Sequence, residues 1–206
     1  MGAREPAYRR LDVDERRRRL LEQGAELFSR HAYADLSMAA IAREAGISKA
    51  LLYHYFPSKQ AYFVATLEQQ AEELAALTAV DPALPPVEQL TRALDAFLGW
   101  VEENAEGYGK LLEGATTHAE VRELVDRVRS GTADQILAGL SPDGPPPAAL
   151  RTAVHGWLWF MDGALMDWLE HRDIERPELH GLLLGALLGA VTASGAPGQA
   201  ERLTAS

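Results

Sequence analysis

The chain has 206 residues, of which 47% are hydrophobic and none is cysteine. This is typical of a folded protein of one or two domains, and it excludes disulfides and thiolate chemistry. The net charge is −10, yet residues 1–60 carry 11 Lys and Arg against 8 Asp and Glu, while residues 61–206 carry a net charge of −13. The asymmetry indicates either an N-terminal part that faces an anion or chance clustering of charge.

Membrane insertion and secretion are not expected. The most apolar stretch, Leu182 to Ala193, is shorter than the roughly 20 residues that span a bilayer. The charged N-terminal sequence has no apolar segment of the kind found in a secretory signal. We therefore expect a cytoplasmic protein without a membrane partner.

Helical spacing recurs along the whole chain, and no long run alternates apolar and polar residues, so the sequence predicts an all-α fold of about nine helices. A first helix starts at Asp12 and ends near His31. The following patterns predict further helices, with breaks at DPALPP and SPDGPPP: 38–45, 49–56, 59–78, 87–104, 106–115, 118–139, 148–171 and 177–194.

The second and third helices form a recognisable unit. Ser37 and Ser48 are predicted N-caps, and Gly46 ends the second helix with the left-handed conformation that glycine adopts readily. Two short helices joined by a glycine turn are typical of a helix-turn-helix, whose second helix enters the DNA major groove. The N-termini capped by Ser37 and Ser48 are candidates to offer backbone N–H groups to phosphates.

The spacing of the third helix predicts two faces. Leu52 and Phe56 lie on an inner face, while Lys49, Ala50, Tyr53 and His54 lie on an outer face that suits phosphate and base-edge contact. The alternative is that Tyr53 and Tyr55 pack in the core. Lys59 stands in the first turn of the fourth helix, where the helix dipole disfavours a cation, so we expect a phosphate near it.

The segment Ser37 to Phe63, SMAAIAREAGISKALLYHYFPSKQAYF, resembles the DNA-binding domain of the TetR family of transcriptional regulators. The resemblance rests on Ser37, Ala45-Gly46-Ile47-Ser48, Leu52-Tyr53 and Tyr55-Phe56-Pro57-Ser58-Lys59, and it covers about residues 12–65.

That resemblance implies base contacts from Lys49, Ala50 and Leu51, and contacts to phosphates or thymine methyls from Tyr53, His54, Tyr55 and Lys59. Leu51 is a departure from the family pattern: it either reads a thymine methyl or only restricts approach. Met38 also departs, since a hydroxyl is common there. The implied organisation is a flexible arm at 1–11, the helix-turn-helix domain at 12–60, an effector-binding and dimerisation domain at 61–195, and a tail at 196–206.

The helix predicted at 148–171 is apolar nearly all round, so it is expected to be buried on more than one side. A second copy of the chain is the simplest partner. The dimer interface predicted from the apolar stripes of the last two helices comprises Trp157, Met161, Leu165, Trp168, Leu183, Leu187 and Ala190. The glycines Gly181, Gly185 and Gly189 suit close helix approach, either between two copies or within one.

Aromatic and sulfur-containing side chains in the body suggest an apolar effector pocket with a few polar groups. Its predicted lining is Phe97, Trp100, Tyr108, His118, His155, Trp159, Asp162 and Met166. The alternative is that these are ordinary core residues.

The six histidines show no metal-binding spacing, and there is no glycine-rich phosphate loop or GxSxG motif, so we expect neither an enzyme nor a cofactor. The sequence therefore predicts a homodimeric repressor that binds a near-palindromic DNA operator and responds to a small hydrophobic effector. A constitutive DNA-binding protein without an effector is the alternative.

Overall fold

The computed structural model describes residues 13–195. The expected arm at 1–11, the predicted cap Asp12 and the expected tail at 196–206 lie outside these residues. Within the described part of the chain there are nine α-helices and no strands, which confirms the all-α prediction. The helices are α1 (Val13–Arg30), α2 (Met38–Glu44), α3 (Lys49–Tyr55), α4 (Lys59–Leu77), α5 (Pro86–Glu103), α6 (Ala105–Thr117), α7 (Ala119–Leu140), α8 (Ala148–His171) and α9 (Arg176–Ala193).

The chain divides into two compact units, and the division falls within α4, between Gln69 and Gln70. The first unit has a small core built from α1 to α4, in which Ile41 and Leu52 are fully buried and Phe56 is 2% exposed. Burying side chains of this size stabilises a fold by about 1.5–3 kcal/mol each. Met38 also lies in this core, so its apolar side chain has a structural reason to stand where a hydroxyl is common in the family.

The turn between α2 and α3 is set by local hydrogen bonds. Gly46 has a φ of +65°, and its N–H donates to the Arg43 carbonyl at 3.1 Å while the Ile47 N–H donates to the Ala42 carbonyl at 3.0 Å. This pair of bonds is the Schellman arrangement that ends a helix at a left-handed glycine. The Ser48 hydroxyl then accepts the Leu51 N–H at 3.1 Å and starts α3.

Helices α1 and α4 lie in close contact at Gly24. A Cβ atom at Gly24 would lie 2.5 Å from Thr66 Oγ1 and 2.7 Å from the Tyr62 hydroxyl oxygen. That hydroxyl is fixed because it donates to the Leu20 carbonyl inside the core. Burial also raises the pKa of Tyr62, so the phenol keeps its proton and remains a donor. Glycine at position 24 is therefore required by packing.

Gly24→Ala is expected to destabilise the protein by about 1–3 kcal/mol, since the added methyl overpacks a tight contact. The measurement is urea unfolding followed by circular dichroism. Gly131→Ala on α7 is the matched control, because a Cβ there meets no atom within 4 Å and alanine improves the helix by about 0.5–1 kcal/mol. A Gly24→Ala protein at least as stable as the wild type would contradict the packing argument.

The second unit is a helical body whose core is formed by residues of α5, α6, α7, α8 and α9. The indole N–H of Trp157 on α8 donates to the Leu183 carbonyl on α9 at 2.8 Å. The indole N–H of Trp168 likewise donates to the Ile174 carbonyl at 2.8 Å. These bonds satisfy the polar edges of two large buried rings and fix which side of α8 faces inward.

Candidate nucleic-acid and effector sites

Helix α3 presents a polar outer face. Lys49, Ala50 and His54 are exposed, and Tyr53 is 44% exposed, while Leu52 on the opposite side is fully buried. The inner and outer faces therefore fall where the helical spacing placed them. The sequence alternative in which Tyr53 packs in the core does not match this exposure.

Two of these outer side chains contact one another. The Lys49 ammonium lies 5.7 Å from the centre of the Tyr53 ring, one helical turn further on. A contact of this kind is worth about 0.5–1 kcal/mol at an exposed site. It orients a cation and a phenol together on the face that a helix-turn-helix turns toward DNA.

The remaining predicted contact residues of α3 flank this face. Leu51 and Tyr55 are half-buried. The Tyr55 ring lies 5.4 Å from that of His54 and 6.3 Å from that of Phe56, so it joins the outer face to the core. Arg17 of α1 places its guanidinium 5.4 Å from the centre of the Phe56 ring. The arginine run alone did not single out Arg17, because four successive arginines point around the whole helix.

Lys59 has a different environment from the one predicted. Its ammonium donates to the carbonyls of Tyr33 and Leu36 at 2.7 and 2.8 Å, and it lies 4.1 Å from the centre of the Tyr33 ring. These groups compensate the cation at the start of α4, so the position of Lys59 is explained without a phosphate, and a phosphate contact there stays a prediction. Lys59 instead ties the short 3-10 helix Tyr33–Asp35 to α4.

In the second unit, four predicted pocket residues lie together. The Tyr108 ring packs edge-on against Phe97 at 6.0 Å and Trp100 at 6.3 Å. Its hydroxyl donates to Asp162 Oδ1 at 3.2 Å. Burial and the neighbouring Asp162 charge raise the pKa of Tyr108, so this phenol also keeps its proton.

The other four predicted lining residues have different environments. Trp159 is 63% exposed, so its indole lies at the surface of the second unit, and its place in an effector pocket stays a prediction. Its ring instead covers the guanidinium of Arg129, a residue that no sequence motif marked, at 4.0 Å. His118, His155 and Met166 are half-buried.

Most of the predicted dimer interface is inside one subunit. Five of its seven members are at most 5% exposed and form the core between α8 and α9: Trp157, Leu165, Trp168, Leu183 and Leu187. Met161 and Ala190 are half-buried. The prediction chose the inward stripe, because a helix that is apolar all round gives no sign of which stripe faces a partner.

The outward faces of α8 and α9 carry exposed apolar groups and glycines. Phe160 on α8 is 44% exposed and Leu182 on α9 is 51% exposed. A Cβ atom added at any of five glycines on these helices meets no atom within 4 Å: Gly156, Gly163, Gly181, Gly185 and Gly189. Packing within one subunit therefore does not account for the glycine row of α9.

Residues 13–195 contain no cluster of three or more histidine, aspartate or glutamate side chains placed to hold a metal ion. Across the same span, none of the helices is both long and apolar enough to cross a membrane.

A helix-turn-helix unit followed by a separate helical body defines a class of DNA-binding regulators. Two family models match the chain in that order. Residues 20–66 match the model of bacterial regulatory proteins of the tetR family. Residues 86–189 match the model of the tetracyclin repressor-like C-terminal domain.

Individual relatives agree with the family models. A crystal structure of a tetR-family transcriptional regulator from Streptomyces coelicolor has a TM-score of 0.83 and 31% identity, and the match covers 95% of this chain and 90% of that one. The transcriptional activator FasR of Mycolicibacterium smegmatis is 31% identical over 65% of this chain and 63% of its own length. The transcriptional repressor KstR of Rhodococcus jostii is 27% identical over 77% of this chain and 75% of its own length.

The chain belongs to the TetR family of transcriptional regulators. Its first unit is the helix-turn-helix domain of that family, and its second unit is the helical C-terminal domain. The alignment with the activator spans just under two thirds of that protein, and the named relatives include both an activator and a repressor.

Proposed function

We propose that this protein is a homodimeric repressor that binds a near-palindromic operator through paired α3 helices and is released or modulated by a small hydrophobic effector. The observation that carries the DNA-binding part is the outer face of α3, where Lys49, Ala50, Tyr53 and His54 are exposed on a helix anchored by buried Leu52. Two such helices in a dimer reach half-sites about 34 Å apart, one turn of DNA.

Lys49→Ala combined with Tyr53→Ala tests this assignment. We expect operator affinity to fall by about 100-fold or more, because each lost contact to a base or phosphate costs about 1–3 kcal/mol. The measurement is fluorescence anisotropy with an operator obtained by selection from random DNA. Arg151→Ala, an exposed position of the other unit, is the charge-matched control. Unchanged operator binding at moderate salt would contradict the DNA-binding role of α3.

The dimer is supported by the exposed glycine face, by which we mean Phe160, Leu182 and the five open glycines of α8 and α9. A glycine inside a helix costs about 0.5–1 kcal/mol relative to alanine. Five such positions with free space around them are explained if another backbone approaches closely. A twofold arrangement brings the same face of each subunit together.

The effector response is supported by the aromatic group Phe97, Trp100 and Tyr108 beside the Asp162 carboxylate. Binding sites for small molecules combine apolar walls with a few polar groups in this way. An effector changes operator affinity only if it binds one conformation of the dimer more tightly than another. Operator affinity that stays constant with every lipophilic compound tested would favour the constitutive alternative.

A further inference from the structure

A largely buried charged cluster lies between α7 and α8 of the second unit. The Arg129 guanidinium of α7 donates to Asp162 Oδ2 of α8 at 2.5 Å, and their side chains are only 12% and 18% exposed. Taking two charges out of water carries a large desolvation cost, which close pairing only partly offsets. Half-buried charges beside aromatic side chains are therefore candidates for a functional site.

The surroundings of the guanidinium are those of a bound cation. One side lies 4.0 Å from the centre of the Trp159 indole. The edge is held by the Asp162 carboxylate, whose other oxygen accepts the Tyr108 hydroxyl at 3.2 Å. An aromatic face and a carboxylate together are a general means of binding ammonium and guanidinium groups.

Arg129 and Asp162 differ in how readily each can leave the ion pair. Asp162 has a short side chain and is tied to Tyr108. Arg129 has a long, flexible side chain, and its second partner Asp126, at 2.9 Å, is 54% exposed. Arg129 can therefore swing toward Asp126 and solvent, whereas Asp162 stays beside Tyr108.

We propose that the position now held by the Arg129 guanidinium, between the Trp159 ring and the Asp162 carboxylate, binds the effector, and that the effector is a lipophilic monocation that displaces Arg129. This inference rests on the proposed effector response. The apolar part of the effector packs toward Phe97 and Trp100, which already contact the Tyr108 ring.

The charges favour a cation over an anion. Two carboxylates, Asp126 and Asp162, contact one guanidinium, so the cluster carries a net negative charge. A cation that replaces Arg129 keeps Asp162 paired and returns the guanidinium to water. An anion that takes the place of Asp162 on Arg129 must instead break both this ion pair and the hydrogen bond from Tyr108 to Asp162.

The test uses three probes of the same shape: para-butylbenzamidine, a cation; para-butylbenzamide, which is neutral; and para-butylbenzoate, an anion. Each is titrated into the full-length protein, and binding is followed by tryptophan fluorescence and by calorimetry. We expect the amidine to bind at least about tenfold more tightly than the amide, and the benzoate to bind most weakly. Equal affinities, or a preference for the benzoate, would overturn the proposal.

Variants locate the binding position. Asp162→Asn is expected to abolish the preference for the amidine over the amide. Trp159→Leu, at an exposed position, should fold normally and weaken amidine binding several-fold. Arg129→Met removes the competing occupant and should strengthen amidine binding, whereas Arg122→Met, at an exposed position two turns earlier on the same helix, should not. Weaker amidine binding by folded Arg129→Met would count against displacement.

Operator affinity measured with saturating amidine separates this inference from the function on which it rests. If the protein binds the amidine no more tightly than the amide while an unrelated compound alters operator affinity, the proposed cation site is wrong and the effector response stands. If the amidine binds as expected and operator affinity does not change, the site is right and the effector response is wrong.

Discussion

Gly185→Leu combined with Gly189→Leu should convert the proposed dimer to a folded monomer. Both glycines lie on the exposed glycine face, and a Cβ at either meets no atom of its own subunit within 4 Å. A leucine is also a better helix former than glycine, by roughly 0.5–1 kcal/mol. The subunit therefore tolerates the change, whereas a second backbone packed against α9 does not.

The oligomeric state is measured by light scattering after size-exclusion chromatography at micromolar concentration. We expect the mass to halve and the operator affinity to fall by about 100-fold or more, since a monomer engages one half-site only. Gly131→Leu on α7 is the control, because that position is also open and lies outside the exposed glycine face. A double variant that remains a dimer with unchanged operator affinity would show that another surface forms the dimer.

Local signals made the helix-turn-helix of the first unit predictable from sequence. Ser37, Gly46 and Ser48 act through hydrogen bonds to residues three to five positions away, and the structure shows these bonds at the predicted places. The inner and outer faces of α3 follow from helical periodicity alone. The bounds predicted for the long helix at 148–171 match α8, since proline and glycine mark its start and its apolar pattern is continuous.

Contacts between distant residues were not predictable in the same way. The carbonyls that hold Lys59 come from residues 23 and 26 positions earlier in the chain. Arg129 and Asp162 are 33 positions apart and lie on different helices. Neither pairing has a sequence signature, because both depend on how helices pack.

The prediction of which side of α8 faces a partner failed for a related reason. Apolar residues occur on every side of this helix, so periodicity gives it no preferred inward face. Indole N–H groups contribute to the choice because they need acceptors when buried, and Trp157 has one in the Leu183 carbonyl. The exposed glycines lie on the remaining side.

Lys59→Met should lower operator affinity without changing its dependence on salt. The ammonium bonds to two carbonyls that precede α2, at Tyr33 and Leu36, and each hydrogen bond from a charged group contributes about 1.5–3 kcal/mol. Their loss frees the segment that leads into the Ser37 cap, so α2 and α3 are held less firmly. Thermal unfolding should show a first unit less stable by about 3 kcal/mol, the lower end of the range for two such bonds.

The slope of log affinity against log salt separates positioning from phosphate contact, because each neutralised phosphate contributes about 0.9 to that slope. Lys59→Met should leave the slope unchanged. Lys49→Met on the outer face of α3 should reduce it by about 1.8, which is 0.9 for each subunit of the proposed dimer, if Lys49 contacts a phosphate. Lys59→Arg keeps the charge but places a planar group where two carbonyls converge on one nitrogen, so its affinity should resemble that of Lys59→Met. A smaller slope in Lys59→Met, restored in Lys59→Arg, would instead establish a direct phosphate contact. The comparison is made well below the unfolding temperature, so that loss of folded protein does not enter the affinity.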